Sequence, residues 1–270
     1  MSASHTFNAK YGPWALVTGA ARGLGAEFSR QIAVLGINLV LVDVLAEEME
    51  EVADEIRRRC DTEIRTIVAD LSHPEFMEAI RDQTGGIEIG LLVSNAMFGP
   101  VGLFFDQSLE DNLTTVAVNV QAPLVLVQEF GAKMVSRKRG GIIMLSSASA
   151  LQGTAYAANY AATKAYNLIL AESLWDELRE HGVDVLGFMP GATRTTGFLL
   201  SNPRLKGSRL ANVMGPEPTV AEALKALGKW PSRIAGTRNR WTLFLAGRLM
   251  PRRKMITLVG KTMRDWYGSQ

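Results

Sequence analysis

Apolar strand segments alternating with helical stretches predict an α/β fold. It has one doubly wound parallel sheet of about seven strands, helices on both faces and a helical C-terminal extension. Three observations carry this prediction. A glycine-rich turn joins a short apolar strand to a helix near the N-terminus. Further apolar segments recur at intervals long enough for crossover helices. The 270 residues, 47% of them hydrophobic, suit one large domain spanning 1–270, with no repeat, linker or low-complexity tract to divide it.

The first strand is Trp14–Thr18, short, apolar and entered through Gly12-Pro13. It runs into Gly19-Ala20-Ala21-Arg22-Gly23-Leu24-Gly25, after which Phe28, Ile32 and Leu35 carry helical spacing. Such a turn aims backbone N–H groups and the positive end of a helix at a phosphate. Its glycines permit the tight turn, close approach of a pyrophosphate and packing of helix on strand. A second strand, Asn38 to Asp43, ends in a carboxylate eighteen residues beyond Gly25. That is near the ~20-residue offset at which an acidic side chain binds a ribose 2′-hydroxyl, and the same charge repels a 2′-phosphate. Asp43 therefore favours NAD over NADP. Arg22 pulls the other way if it reaches a 2′-phosphate, and Asp43 has an alternative use as the cap of a helix over 47–58. The remaining strands are expected at 63–69, 89–94, 141–147, 183–189 and near 233–237.

Tyr160 and Lys164 stand four residues apart, on one face of a helix. Ser147 lies thirteen residues upstream of Tyr160, at the expected end of the fifth strand. A phenol beside an ammonium, with a hydroxyl approaching from another element, suits proton transfer to a carbonyl oxygen. A nearby positive charge favours the phenolate and lowers a tyrosine pKa from its ordinary value of about 10. Tyr156 and Tyr166 lack a lysine four residues on, and Ser146 is expected to face away from Ser147.

With these motifs in order, the chain resembles the short-chain dehydrogenase/reductase family over roughly residues 12 to 236, near its hydroxysteroid dehydrogenase and 3-ketoacyl reductase branch. Three further stations match: Asp70 with Leu71, Asn119, and Pro190-Gly191-Ala192-Thr193-Arg194-Thr195. The resemblance implies a Rossmann-type sheet and an NAD(P)-dependent oxidoreductase interconverting a secondary alcohol and a ketone. It implies Ser147, Tyr160, Lys164 and Asn119 as catalytic, with Tyr160 as general acid/base, Ser147 on the substrate oxygen and Lys164 on the nicotinamide ribose. Asn119 would hold a water leading from Lys164 to solvent. Cofactor contacts are expected from Gly19, Ala21, Arg22, Gly23, Leu24, Gly25, Asp43, Asp70, Leu71, Asn95, Ala96, Tyr160, Lys164, Pro190, Gly191, Thr193 and Thr195. One station departs: Ser94-Asn95-Ala96-Met97 places Met97 where the family has glycine, which implies a reshaped loop with activity kept.

The substrate pocket is expected from Met97, Phe98, Val101, Ser149, Leu151, Phe198 and Leu199, mostly apolar, with 193–216 as a substrate lid. This favours a bulky apolar substrate, steroid-like, aromatic or fatty-acyl, over a sugar. The alternatives are an NADPH-dependent ketone or 3-ketoacyl reductase, and a non-catalytic cofactor-binding or membrane-surface protein on the same fold. The family's habit of pairing its long helices implies a homodimer or homotetramer.

One cysteine, Cys60, excludes an internal disulfide and suits a reducing, cytoplasmic setting. Three scattered histidines give no metal-ligand spacing. No continuous apolar run reaches the ~18 residues of a membrane span, and the N-terminus lacks a signal-peptide pattern. The net charge of +2 conceals an asymmetry, because Lys229 to Arg264 contains ten Lys or Arg and no Asp or Glu. The extension 238–270 thus reads as a basic amphipathic hairpin that either docks on its own protein or rests peripherally on an anionic membrane. Nucleic acid is not expected, since no binding motif accompanies the charge.

Overall fold

The computed structural model describes residues 3–195 and 213–268. Seven strands form one parallel sheet in the order β3-β2-β1-β4-β5-β6-β7. They are β1 Trp14–Thr18, β2 Asn38–Asp43, β3 Ile64–Val68, β4 Ile89–Ser94, β5 Gly140–Leu145, β6 Val183–Met189 and β7 Ser232–Ile234. The helices are α1 Ala3–Tyr11, α2 Gly23–Val34, α3 Ala46–Arg57, α4 Phe76–Thr84, α5 Leu109–Val116, α6 Ala122–Arg137, α7 Ala158–Arg179, α8 Pro216–Ala226, α9 Thr237–Leu249 and α10 Arg252–Tyr267.

Alternation along the strands divides the core. Ala15 and Val17 of β1 face a cluster with Phe28 and Ile32 of α2, Met49 of α3 and Val220 of α8. Trp14 and Leu16 face the opposite cluster, with Ile80 of α4, Phe130 and Met134 of α6 and Ala171 of α7. Ile143 and Ile142 of β5 divide in the same way. The chain leaves β1 towards β2 and β3, then crosses back to β4. The carboxyl ends of β1 and β4 therefore border the crevice where such sheets bind ligands.

Two boundaries differ from the sequence expectation by more than one residue. β5 ends at Leu145 rather than residue 147, because the Ser147 hydroxyl accepts the Ser149 N–H at 3.2 Å and starts a 3-10 turn over Ala148–Leu151. A local bond of this kind competes with the ladder. β7 stops at Ile234, before Gly236 with φ +79°. Helix α1 was not expected. It is tied down by Asn8, which donates to the Gly36 carbonyl, and by Tyr11, whose hydroxyl donates to Asp184 Oδ2 at 2.5 Å.

Residues 109–137, comprising α5, a π turn over Ala117–Gln121 and α6, form the one helix among the described residues long and apolar enough to cross a bilayer. It is a core helix, since Leu126, Phe130 and Met134 are buried against the sheet.

Candidate active site

The glycine turn is closed by backbone contacts that tolerate no side chain. A Cβ on Gly25 would lie 1.9 Å from the Gly19 carbonyl oxygen, and one on Gly19 would lie 2.8 Å from Ala96 Cα. Gly19 (φ +66°) and Gly23 (φ +59°) occupy the left-handed region that favours glycine. Helix α2 begins without a side-chain cap, so its first N–H groups face a cleft of about 290 Å³. Ala21, Arg22, Gly23, Arg30, Arg194 and Thr195 are among its lining residues. The first N–H groups and the positive end of α2 fit a dinucleotide diphosphate, while Arg22 and Arg30 beside them are paired with Glu48 and with Glu27 and Glu55. Leu24 packs its side chain on the core.

Thr18, which the sequence did not single out, locks this turn to the loop after β4. Its hydroxyl accepts the N–H groups of Asn95 (3.0 Å) and Ala96 (3.1 Å). The Asn95 amide donates in turn to the Thr18 and Gly19 carbonyls.

Asp43 stands beside the turn with both oxygens engaged by backbone, Oδ2 by Ala21 N–H (2.9 Å) and Oδ1 by Leu45 N–H (3.1 Å). It does not cap α3, whose N-cap is Leu45. The neighbouring Arg22 forms an ion pair with Glu48 in the first turn of α3. A backbone hydrogen bond first, and the Arg22 pair after it, hold the Glu48 carboxyl below its ordinary pKa. Asp70, exposed at the end of β3, accepts Ser72 N–H and Oγ–H at 2.8 Å, and Leu71 beside it is buried.

At the other end of the crevice, Tyr160 on α7 stands beside Ser147. Burial pushes the phenol above its ordinary pKa and Ser147 pulls against it. Lys164 is buried, donates to the Leu145 carbonyl at 2.9 Å and lies over the Tyr160 ring, 5.7 Å from its centroid. Burial lowers its pKa to about 8. The expected lowering of the Tyr160 pKa by Lys164 is therefore not seen in the chain alone. The phenol is protonated at neutral pH, the state in which it can donate to a carbonyl. Ser146 faces away and donates to the Lys164 carbonyl at 2.7 Å.

Asn119 lies in the π turn, fully buried. Its Oδ1 accepts Phe98 N–H at 2.8 Å, while Nδ2 donates to the Phe98 carbonyl (2.7 Å) and to Thr163 Oγ1 (3.1 Å). Both amide hydrogens are thus used within the protein. The side chain holds the loop after β4 against α7.

That loop forms one wall of the site. Gly99 lies so close to Tyr160 that a Cβ would come within 2.8 Å of the ring. Met97 and Phe98 are exposed at the mouth, and Met97 keeps a negative φ, so no strain attends it where the family has glycine. Ser149 and Leu151 lie on the 3-10 turn after Ser147, with the Ser149 hydroxyl oxygen buried. Tyr156 (φ +63°) accepts Gly102 N–H at 2.9 Å and joins the two walls.

After β6, Pro190 leads into Gly191, which is crowded by Asn239 of α9, a contact the sequence did not signal. The Thr193 hydroxyl donates to the Gly191 carbonyl at 3.0 Å, and Thr195 packs over Gly23. The ends of the expected lid are stitched by Arg194 N–H to Met214 O (2.8 Å) and Met214 N–H to Ala192 O (3.0 Å). Phe198 and Leu199 lie outside the described residues. The extension docks through α10, where Met255 and Gly260 are buried and Ile256 and Gly260 lie against Gly153 and Ala155.

A glycine-turn dinucleotide cleft, with a serine, a tyrosine and a lysine gathered at the strand ends, defines a nucleotide-dependent oxidoreductase of the Rossmann type. The short chain dehydrogenase family model matches residues 13–203, and the chain belongs to that family, whose dehydrogenases act on hydroxyl groups. It is 32% identical to a 7beta-hydroxysteroid dehydrogenase of Collinsella aerofaciens, over 86% of this chain and 89% of that protein. It is 31% identical to the human inactive hydroxysteroid dehydrogenase-like protein 1, over 90% of this chain and 73% of that protein. A structure described as giving insights into 7beta-hydroxysteroid dehydrogenase stereoselectivity superposes with TM-score 0.87 at 30% identity, covering 94% of this chain and 98% of the other. A short-chain dehydrogenase from Sphingobium yanoikuyae in complex with NADPH gives 0.76 at 25% identity, covering 91% and 95%.

Proposed function

We propose that the protein is an NAD(H)-dependent oxidoreductase interconverting a secondary alcohol and a ketone on a bulky apolar, steroid-like substrate. The observation that carries this reading is Ser147 gathered beside Tyr160, with Lys164 buried over the ring and donating to the Leu145 carbonyl. When bound, the nicotinamide supplies or accepts the hydride. Tyr160 gives its proton to the carbonyl oxygen in reduction and takes it back in oxidation. Ser147 donates a hydrogen bond to the same oxygen as charge develops there. Lys164 holds the nicotinamide ribose, and Asn119 fixes the wall through Phe98 and Thr163.

Asp43 and Glu48 support NAD. The Asp43 carboxylate is held beside the glycine turn by Ala21 N–H, and Arg22, the cation that would welcome a 2′-phosphate, is engaged by Glu48. The apolar wall of Met97 and Phe98, together with the hydroxysteroid dehydrogenases among the relatives, supports a steroid-like substrate. Exposed Leu109 and Leu113 on α5 and Ile169 on α7 support pairing of these helices in a homodimer or homotetramer. The cytoplasm is the proposed location, supported by the single free cysteine.

Fluorescence titration with NADH and NADPH, followed by turnover of ketosteroids by wild type and Tyr160→Phe, tests this. Tight NADH binding, with turnover lost in Y160F and binding kept, supports the reading. Preference for NADPH moves it to an NADPH-dependent ketone or 3-ketoacyl reductase. Binding of neither nucleotide overturns it.

A further inference from the structure

Helix α9 presents its apolar residues to solvent. Trp241, Phe244, Leu245 and Leu249 follow the i, i+3, i+4, i+8 spacing of one stripe, and they are 60%, 52%, 48% and 79% exposed. On a helix resting on a protein core this stripe points inwards. Here the inward side is the narrow one. Asn239 donates to the Ala235 carbonyl at 3.2 Å, and Arg240 is paired with Glu222. Trp241 and Phe244 stack edge to face, 6.0 Å apart.

The rim of the stripe is basic. Arg238 and Arg248 lie on the exposed side of α9, and Arg252, Arg253 and Lys254 open α10 directly after it, all exposed. Among the described residues no carboxylate pairs with any of these five. No acidic residue occurs between Glu222 and Asp265. A two-fold pairing of this face with a second copy would bring arginines against arginines, since the same patch lies on both sides of such an interface. The complementary surface is apolar beneath and anionic above, and an acidic bilayer has both layers.

We propose that α9 and the start of α10 form a peripheral site for an anionic lipid surface. Trp241, Phe244, Leu245 and Leu249 enter the acyl boundary, and Arg248, Arg252, Arg253 and Lys254 contact headgroup phosphates. The helix, about 20 Å long, lies in the plane of the interface. Asn239 on its inner side touches Gly191, so the docked surface adjoins the loop that follows β6. An apolar substrate dissolved in the bilayer would then lie next to the protein that turns it over. That consequence rests on the proposed activity; the lipid site itself does not.

Flotation of the full-length protein with vesicles tests the proposal without any activity measurement. One set is phosphatidylcholine alone, and the other contains about one third phosphatidylglycerol. Wild type is expected to float with the anionic vesicles only, and less at 1 M salt, where the Debye length falls to about 3 Å. Replacing Trp241, Phe244 and Leu249 by serine should abolish flotation. Replacing Arg252, Arg253 and Lys254 by glutamate should lower partitioning about fivefold per charge. These positions are exposed and acids suit a helix start, so the fold should persist, checked by circular dichroism. Failure to float with either vesicle overturns the proposal. So does flotation of the serine variant at the wild-type level. A serine variant whose oligomer falls apart in solution, with no vesicle binding by wild type, overturns it in favour of a contact between copies.

Discussion

Asn119 grips Phe98 by both edges of its amide, accepting the Phe98 N–H at 2.8 Å and donating to the Phe98 carbonyl at 2.7 Å. The pair closes a ring resembling one rung of a sheet, between a helix and a loop. Its remaining hydrogen goes to Thr163, one residue before Lys164. One buried side chain thus sets the distance between the wall of the pocket and the helix that carries Tyr160.

Asn119→Ala removes the partner of two part-buried backbone groups of Phe98 and one of the two bonds of the Thr163 hydroxyl. A loss of about 3 kcal/mol in stability is expected, with a fall in kcat. Asn119→Asp keeps the acceptor but turns a buried carboxylate oxygen against the Phe98 carbonyl, so it should be at least as destabilising as the alanine variant. Urea unfolding read beside steady-state kinetics checks the order.

Gly99→Ala should act on catalysis more than on stability. The added methyl falls 2.8 Å from Tyr160 Cδ2, so the ring must shift. NADH binding should persist while kcat drops about tenfold or more, because a misplacement of about 1 Å is costly at a reacting centre. Unchanged kcat in this variant would show that the loop yields instead.

Lys164 gives stability a distinctive pH dependence. In the folded chain it loses its proton near pH 8, whereas an unfolded lysine keeps it to about 10.4. Between these values the unfolded state binds more protons, so stability should rise with pH, by roughly 1.4 kcal/mol per unit. Above about pH 10 the trend reverses. Tyr11 and Tyr160 have folded pKa values raised by burial, so the unfolded state loses their protons first. Lys164→Met should flatten the rise between pH 8 and 10 in denaturant titrations of the cofactor-free protein.

Glu48→Ala should move nucleotide preference towards NADPH. Freed from its partner, Arg22 can turn to a 2′-phosphate, and the local negative charge falls by one. An exposed pair of this kind is weak, so a change of at most about fivefold in the ratio of NADH to NADPH affinity is expected. Fluorescence titration reads it directly, and a ratio equal to that of wild type would remove Glu48 from the account of selectivity.

The parts of the site legible in the sequence are those where chemistry demands a residue type at a set spacing. The glycine turn, Asp43 at the end of β2, and Ser147 with Tyr160 and Lys164 are of this kind. Groups that act through tertiary contact left no local trace. Thr18 looks like any strand residue, yet it ties Asn95 and Ala96 to the turn. Gly99 looks like a loop glycine, and its meaning comes from Tyr160, far along the chain. Helix α1 was hidden for the same reason: Tyr11 finds its partner 173 residues away at Asp184. The end of β5 was misjudged because Ser147 spends its hydroxyl on Ser149 N–H, a choice that hydrophobic pattern does not record.

Helix α10 rests on Gly153 and Ala155, between the serine and the tyrosine of the site. Its residues follow every strand of the sheet in the chain. The half of the molecule with the glycine turn can take shape while the rest is still being made, in keeping with folding from the N-terminal side during translation. The loop from Ser147 to Tyr160 receives its covering helix only after the last strand, β7, has been synthesised. A truncated product would therefore carry a nearly complete nucleotide cleft beside an uncovered pocket, and would occupy nucleotide while offering substrate an unfinished wall.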